Sequence, residues 1–151
     1  LILFIILDYI KHLFPNIQNL YYYFFNDVTR TNEHDTVTGA TWVFIGIILT
    51  VIPFSQHVAI IALIVLSVSD SMAALVGIKH GKTILLEKTL EGSFAFYLST
   101  FLIISIFTKF SLTYNILASS IITLSELIDI NINDNITIPV TTAILLYLGG
   151  M

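Results

Sequence analysis

A chain of 151 residues that is 56% hydrophobic and 11% charged, with a mean hydropathy of +0.93, is far more apolar than a soluble domain of its size needs. The absence of cysteine excludes disulfides, cysteine zinc ligands and thiol catalysis. The net charge of −4 does little to fix topology, because Asp and Glu hardly steer it, and no nucleic acid is expected as a partner.

Six apolar runs follow in chain order, at 1–14, 38–54, 57–76, 93–110, 113–128 and 136–150. Most approach the roughly 20 residues that cross a bilayer as a helix. None alternates apolar and polar residues as a barrel strand does. The predicted fold is therefore all-α, a polytopic transmembrane bundle of about six spans forming one domain over 1–151. The first run begins at Leu1 without a basic leader or a small-residue cleavage site, so the chain is expected to lack its N-terminal part. Pro15 and Asn16 end that run, and Pro53 ends the second.

Nearly all ionisable side chains fall in three stretches, 15–37, 77–92 and 129–136. If 1–14 spans, these stretches follow the first, third and fifth helices and share one side. Lys11, Arg30, Lys79, Lys82 and Lys88 lie on that side, and Lys109 lies opposite. The positive-inside rule then puts the polar loops in the cytoplasm.

The first stretch holds Arg30, Glu33, His34 and Asp35 after the aromatic run Tyr21-Tyr22-Tyr23-Phe24-Phe25. The aromatic run reads as an interfacial belt. Arg30 is placed to pair with Glu33 or to bind phosphate through two parallel hydrogen bonds. A lone surface histidine such as His34 is more often neither catalyst nor ligand.

Asp70 lies inside the third apolar run, where a carboxylate costs about 2.5–3.5 kcal/mol to insert. It must face protein, water or a cation. Ser69, Ala73 and Gly77 recur every four residues beside it, a small stripe that lets another helix approach closely. A structural contact between helices is the plainer reading of Asp70; intramembrane acids are functional more often than not.

Gly77-Ile78-Lys79-His80-Gly81-Lys82-Thr83 resembles a phosphate loop only superficially. It has three residues, not four, between Gly77 and Gly81-Lys82-Thr83, and it follows a membrane helix instead of a strand. Two readings stand: glycine amides and lysines holding phosphate, or an ordinary positive-inside loop. Thr89 or Ser93 is placed to cap the next helix, whose free N-terminus also favours an anion.

Glu126 and Asp129 share a helix face, and Asp134 and Asn135 follow in an expected turn. This oxygen-rich set suits a hard divalent cation such as Mg²⁺, which completes its shell with water and substrate phosphate. A solvated acidic loop explains Asp134 equally well. It explains Glu126 poorly, because that residue ends an apolar run.

The combination Asp70-Ser-Met-Ala-Ala-Leu-Val-Gly77, Gly81-Lys82, Lys88-Thr89-Leu90-Glu91-Gly92-Ser93, Glu126 and Asp134-Asn135-Ile136-Thr137-Ile138-Pro139 resembles the CTP-dependent lipid-alcohol kinases. These are the dolichol, phytol or farnesol, and CTP-dependent diacylglycerol kinases, related to phosphatidate cytidylyltransferase. Asp8-x-x-Lys11 and Arg30-x-x-Glu33 are weaker matches, and the likeness covers most of 8–145. Cytidylyltransferases share the middle part but end on Ser-x-x-Lys-Arg and Lys-Asp, which this chain lacks.

The resemblance implies transfer of the γ-phosphoryl group of CTP to the hydroxyl of a membrane lipid: dolichol, another polyprenol, phytol or diacylglycerol. Asp70, Glu126 and Asp134 would be the catalytic and Mg²⁺-binding acids. Arg30, Gly77, Gly81, Lys82, Lys88, Thr89, Glu91, Gly92, Ser93 and Asn135 would bind nucleotide and substrate. Partners would be CTP, the lipid alcohol and the bilayer, with homo-oligomerisation left open. The alternatives are cytidylyl transfer to phosphatidate, and a small transporter or membrane subunit using Asp70 and Glu126 as an ion pathway.

Overall fold

The computed structural model describes residues 2–10, 14, 38–86, 88–128 and 133–151. The expectations placed on Arg30, Glu33, His34, Asp35, the aromatic run and Asp129 lie outside these residues. Contacts divide the chain into two units, 1–45 and 46–151.

The first unit contains α1 (Ile2–Ile10) and the start of α2 (Gly39–Val51). Asp8 is buried, and its Oδ2 accepts from the Thr38 amide at 3.0 Å, the Thr38 hydroxyl at 3.1 Å and the Thr41 hydroxyl at 2.6 Å. A carboxylate at a helix start satisfies free N–H groups and complements the helix dipole. Asp8 does this for α2 from a different helix.

The second unit is built on a continuous helix of 25 residues, made of α3 (Gln56–Ile64), a π-helical turn over Val65–Ser69, and α4 (Asp70–His80). Ser55 caps its start by accepting from the Val58 amide. The helix does not stop at 76. Gly77 continues it, and the chain leaves at Gly81, which has extended backbone. A hairpin of β1 (Ile84–Leu85) and β2 (Lys88–Thr89) follows, pairing Ile84 with Thr89 and Leu85 with Lys88. Among the described residues this hairpin is the departure from the all-helical expectation. Its turn holds Leu86 at φ 59°, a left-handed backbone that costs a leucine about 1–2 kcal/mol.

Helices α5 (Leu90–Phe107), α6 (Leu112–Leu127) and α7 (Asp134–Leu148) complete the unit. Helix α5 lies between α4 and α6, and α7 packs on α6 and α3. Asp134 and Asn135 therefore lie in the first turn of α7, capped by Asn133, and not in a free turn. Pro139, inside α7, cannot donate to the Asn135 carbonyl. That carbonyl faces Gly46, where any Cβ would collide with it.

The small stripe of the long helix faces Gly92 and Thr100 on α5. Ser69 accepts from Thr100 at 3.0 Å, and a Cβ on Gly92 would lie 2.9 Å from the Ala73 carbonyl and 3.4 Å from the Gly77 Cα. The close approach expected of Ser69, Ala73 and Gly77 is thus present.

Apolar core residues such as Phe96, Ile104, Ile122 and Ile138 are interleaved with buried hydroxyls and amides. Asn115 donates to Ser105 at 3.2 Å, and the Tyr114 hydroxyl donates to the Leu145 carbonyl at 2.6 Å. Outward faces carry Ile78, Ile52 and Ile106, which are 73–89% exposed. Polar groups between helices and bare aliphatics outside suit a lipid surrounding. Two helices, Gln56–His80 and Leu90–Phe107, are long and apolar enough to cross a membrane. Helices α2 and α7 are apolar but shorter.

Candidate active site at the helix ends

Lys88 opens β2, just after the hairpin turn, Glu126 lies in the last turn of α6, and Asp134 lies in the first turn of α7. The fold brings the three together. Lys88 Nζ lies 2.7 Å from Glu126 Oε1 and 3.1 Å from Asp134 Oδ2. The Glu126 side chain is 2% exposed, against 30% for Lys88 and 38% for Asp134. The other carboxylate oxygen of Glu126, Oε2, is buried and has no hydrogen-bond partner among the described residues. Burial pulls the Lys88 ammonium toward neutrality, but the hydrogen bonds and charges of Glu126 and Asp134 outweigh it and raise its pKa above the ordinary lysine value.

Asp70 directly follows the π-helical turn, a feature often found at functional sites. Its charge reaches Glu126. Asp70, Glu126 and Asp134 do not form a three-carboxylate cage. Among the described residues no three His, Cys, Asp or Glu side chains are grouped closely enough to hold a metal ion. The cation between two of these acids is Lys88.

The glycines allow close packing, and two of their amides are hydrogen-bonded within the chain. The Gly81 amide donates to the Gly77 carbonyl at 3.0 Å, the Gly92 amide donates to Thr89 Oγ1 at 3.2 Å, and Gly77 is inside a helix. A Cβ on Gly77 would lie 2.8 Å from Thr89 Oγ1, and one on Gly81 would lie 2.6 Å from Thr89 Cγ2. The three glycines let the end of α4, the hairpin and the start of α5 close on one another.

Thr89 is the cap of α5. Ser93 is buried, and its hydroxyl has no hydrogen-bond partner among the described residues. Glu91 accepts from the Thr83 amide at 3.3 Å and so fastens the loop carrying Lys82, which is exposed. Asn135 is half-buried one residue from the cluster, and Arg30 lies outside the described residues. The bridge from Lys88 to both acids is not legible in the sequence, where Lys88 is one of three lysines in its polar stretch and the acids follow the fifth run.

No family model matches the chain, and no solved structure matches it. The chain is 36% identical over 148 residues to the uncharacterized protein RP860 of Rickettsia prowazekii, covering 89% of this chain and 71% of that protein. It is 29% identical over 171 residues to CTP-dependent diacylglycerol kinase 1 of Eremothecium gossypii, covering 95% of this chain and 54% of that one. It is 35% identical over 97 residues to CTP-dependent diacylglycerol kinase 1 of Saccharomyces cerevisiae, covering 62% of this chain and 33% of that one. The chain thus spans about half the length of the first kinase and a third of the second. It belongs to the family of the Rickettsia protein, and it is a distant homologue of the CTP-dependent diacylglycerol kinases.

Proposed function

We propose that this chain is the core of a multi-pass membrane kinase that transfers the γ-phosphoryl group of CTP to the hydroxyl of a lipid alcohol at the cytoplasmic face. The observation that carries the reading is the Lys88–Glu126–Asp134 cluster. Two sequence runs that resemble the kinases, one around Lys88 and one around Asp134, meet there beside a buried acid. Distant homology to diacylglycerol kinases supports the same class.

In the reaction the lipid hydroxyl oxygen bonds to the γ-phosphorus, the bridging P–O bond breaks, CDP leaves, and the hydroxyl proton passes to a base. Such transfer depends on positioning and charge neutralisation more than on covalent help from the protein. Lys88 would turn from its carboxylates toward the phosphates, which Lys82 and Arg30 would also bind. Asp70 would orient the hydroxyl and take its proton.

Mg²⁺ fits the oxygen chemistry of Glu126 and Asp134, because it takes one or two carboxylates and completes its shell with phosphate and water. The partnerless Oε2 of Glu126 is a donor atom ready for such an ion. When bound, the ion would neutralise charge on the transferring phosphoryl group.

The test is incubation of the full-length protein in lipid with γ-labelled CTP, Mg²⁺, and a panel of prenols and diacylglycerol. Label entering the lipid, with CDP released, is the expected result. Pyrophosphate release with phosphatidate would move the assignment to cytidylyl transfer. No turnover with any acceptor would reopen the transporter or subunit reading.

A further inference from the structure

The charge of the two acids at the helix ends is already met from within the chain. Lys88 Nζ lies 2.7 Å from Glu126 Oε1 and 3.1 Å from Asp134 Oδ2, and so joins α6 and α7 through the hairpin. The Lys88 backbone has little freedom to leave. Leu85 pairs with it across the hairpin, and the next residue, Thr89, caps α5. The side chain differs, because it is a flexible four-carbon stem that stays partly exposed. The ammonium can therefore change partners without a change of fold.

The acids that Lys88 holds are the ones whose oxygen chemistry fits Mg²⁺. A metal ion bonded to Glu126 Oε1 at about 2.1 Å would stand no more than about 5 Å from the ammonium, and two cations that close repel one another at a partly enclosed site. Glu126 Oε2 offers no way round. It is buried, has no hydrogen-bond partner among the described residues, and belongs to the same carboxylate. No third acid strengthens the pair: among the described residues no three His, Cys, Asp or Glu side chains are grouped closely enough to hold a metal ion. Two carboxylates shared with an ammonium make a poor metal site. Two carboxylates with the ammonium withdrawn and phosphate oxygens added make a good one. A triphosphate does both at once, since it binds the lysine and supplies the oxygens.

We propose that Lys88 is a resident counter-cation that keeps divalent metal off Glu126 and Asp134 until the triphosphate of a nucleotide draws it away. Metal and nucleotide then bind as a coupled pair, each raising the other's affinity by the same factor. Without nucleotide the acids stay neutralised and the helix ends stay joined. The proposal rests on the kinase reading for the identity of the anion, and adds to it the order in which the site fills.

The experiment reads metal binding without turnover. Full-length protein in detergent is dialysed to equilibrium against Mn²⁺, with no nucleotide present. Lys88→Met should retain Mn²⁺ at least about tenfold more tightly than wild type, within the usual range of coupling between linked sites. Adding Glu126→Gln to Lys88→Met should abolish the gain. Lys88→Arg keeps the charge and should bind as weakly as wild type. Lys88→Gln, which can still hydrogen-bond to the acids, takes the place of Lys88→Met should that variant not fold. With CTP added, wild type should retain Mn²⁺ that Glu126→Gln does not.

Equal affinity in wild type and the uncharged variants overturns the proposal. So does tight binding by Lys88→Arg, a gain that survives Glu126→Gln, or equal retention by wild type and Glu126→Gln when CTP is present. The kinase reading fails separately. Exclusion of Mn²⁺ by Lys88, with no alcohol phosphorylated by the wild type, would sink that reading and leave the exclusion standing.

Discussion

Replacing Lys88 by methionine keeps most of the side chain's volume and removes the cation that joins α6 and α7 through the hairpin. The two ion pairs it loses differ in weight. Asp134 is 38% exposed, so its pair with Lys88 contributes no more than about 1 kcal/mol. Glu126 is 2% exposed, and without Lys88 neither of its oxygens has a partner among the described residues. Stranding a buried charge costs about 3–5 kcal/mol. The pair is only partly enclosed, because Lys88 itself is 30% exposed, so we expect about 2–3 kcal/mol in all. That corresponds to a fall in Tm of roughly 5–10 °C for a chain of this size. The assay is thermal loss of helical circular dichroism for the detergent-solubilised protein. Adding Glu126→Gln to Lys88→Met removes the stranded charge and should recover more than half of the loss. Lowering the pH, which protonates carboxylates, should narrow the gap between Lys88→Met and the wild type. Unfolding of Lys88→Met within about 1 °C of wild type, or no recovery in the double variant, would refute the reasoning.

Three further outcomes are expected. Gly92→Ala drives a methyl against the Ala73 carbonyl and the Thr89 hydroxyl, both under 3 Å away, and should cost about 1–3 kcal/mol in the same melting assay. Asp70→Asn should lower lipid phosphorylation at least about a hundredfold while membrane extraction behaviour stays as in wild type; full activity would remove Asp70 from the mechanism. Because the Lys88 pKa is raised by folding, its stabilisation is complete below 10.5, the ordinary lysine value, and fades as the pH climbs through the higher folded value. A pH titration of Tm should therefore fall at strongly alkaline pH in wild type, and less steeply in Lys88→Met.

The helices were legible because apolar runs reveal themselves by length. Their ends were less so, since they depend on capping chemistry. Helix α5 begins three residues before 93 because Thr89 accepts the Gly92 amide. The long helix passes through Gly77 because that glycine is held against Thr89 by packing, where a solvent-exposed glycine would have marked a stop. The stripe of Ser69, Ala73 and Gly77 could be read from its period of four. The residues it meets on α5, Gly92 and Thr100, could not, since that required knowing which helices touch. Of the candidate site, the residue types at Lys88, Glu126 and Asp134 stood out, but their bridging geometry depends on contacts distant in sequence. The hairpin before α5 carries no turn-forming signal, because Leu86 occupies a backbone position that glycine or asparagine would normally mark.

The π-helical turn has a consequence for how Asp70 is aimed. A wider turn accommodates one more residue than the α-helix would, and each residue rotates an α-helix by about 100°. The turn thus acts as a phase shifter between the buried half of the long helix, which anchors the bundle, and the half that carries Asp70. Were Val65–Ser69 wound as ordinary α-helix with all its residues kept, hydropathy and capping would be almost unchanged, yet the acid would swing about a quarter of a turn from the side where its charge meets Glu126. Spacing between the anchor and the acid is consequently as much a requirement of this chain as the identity of either.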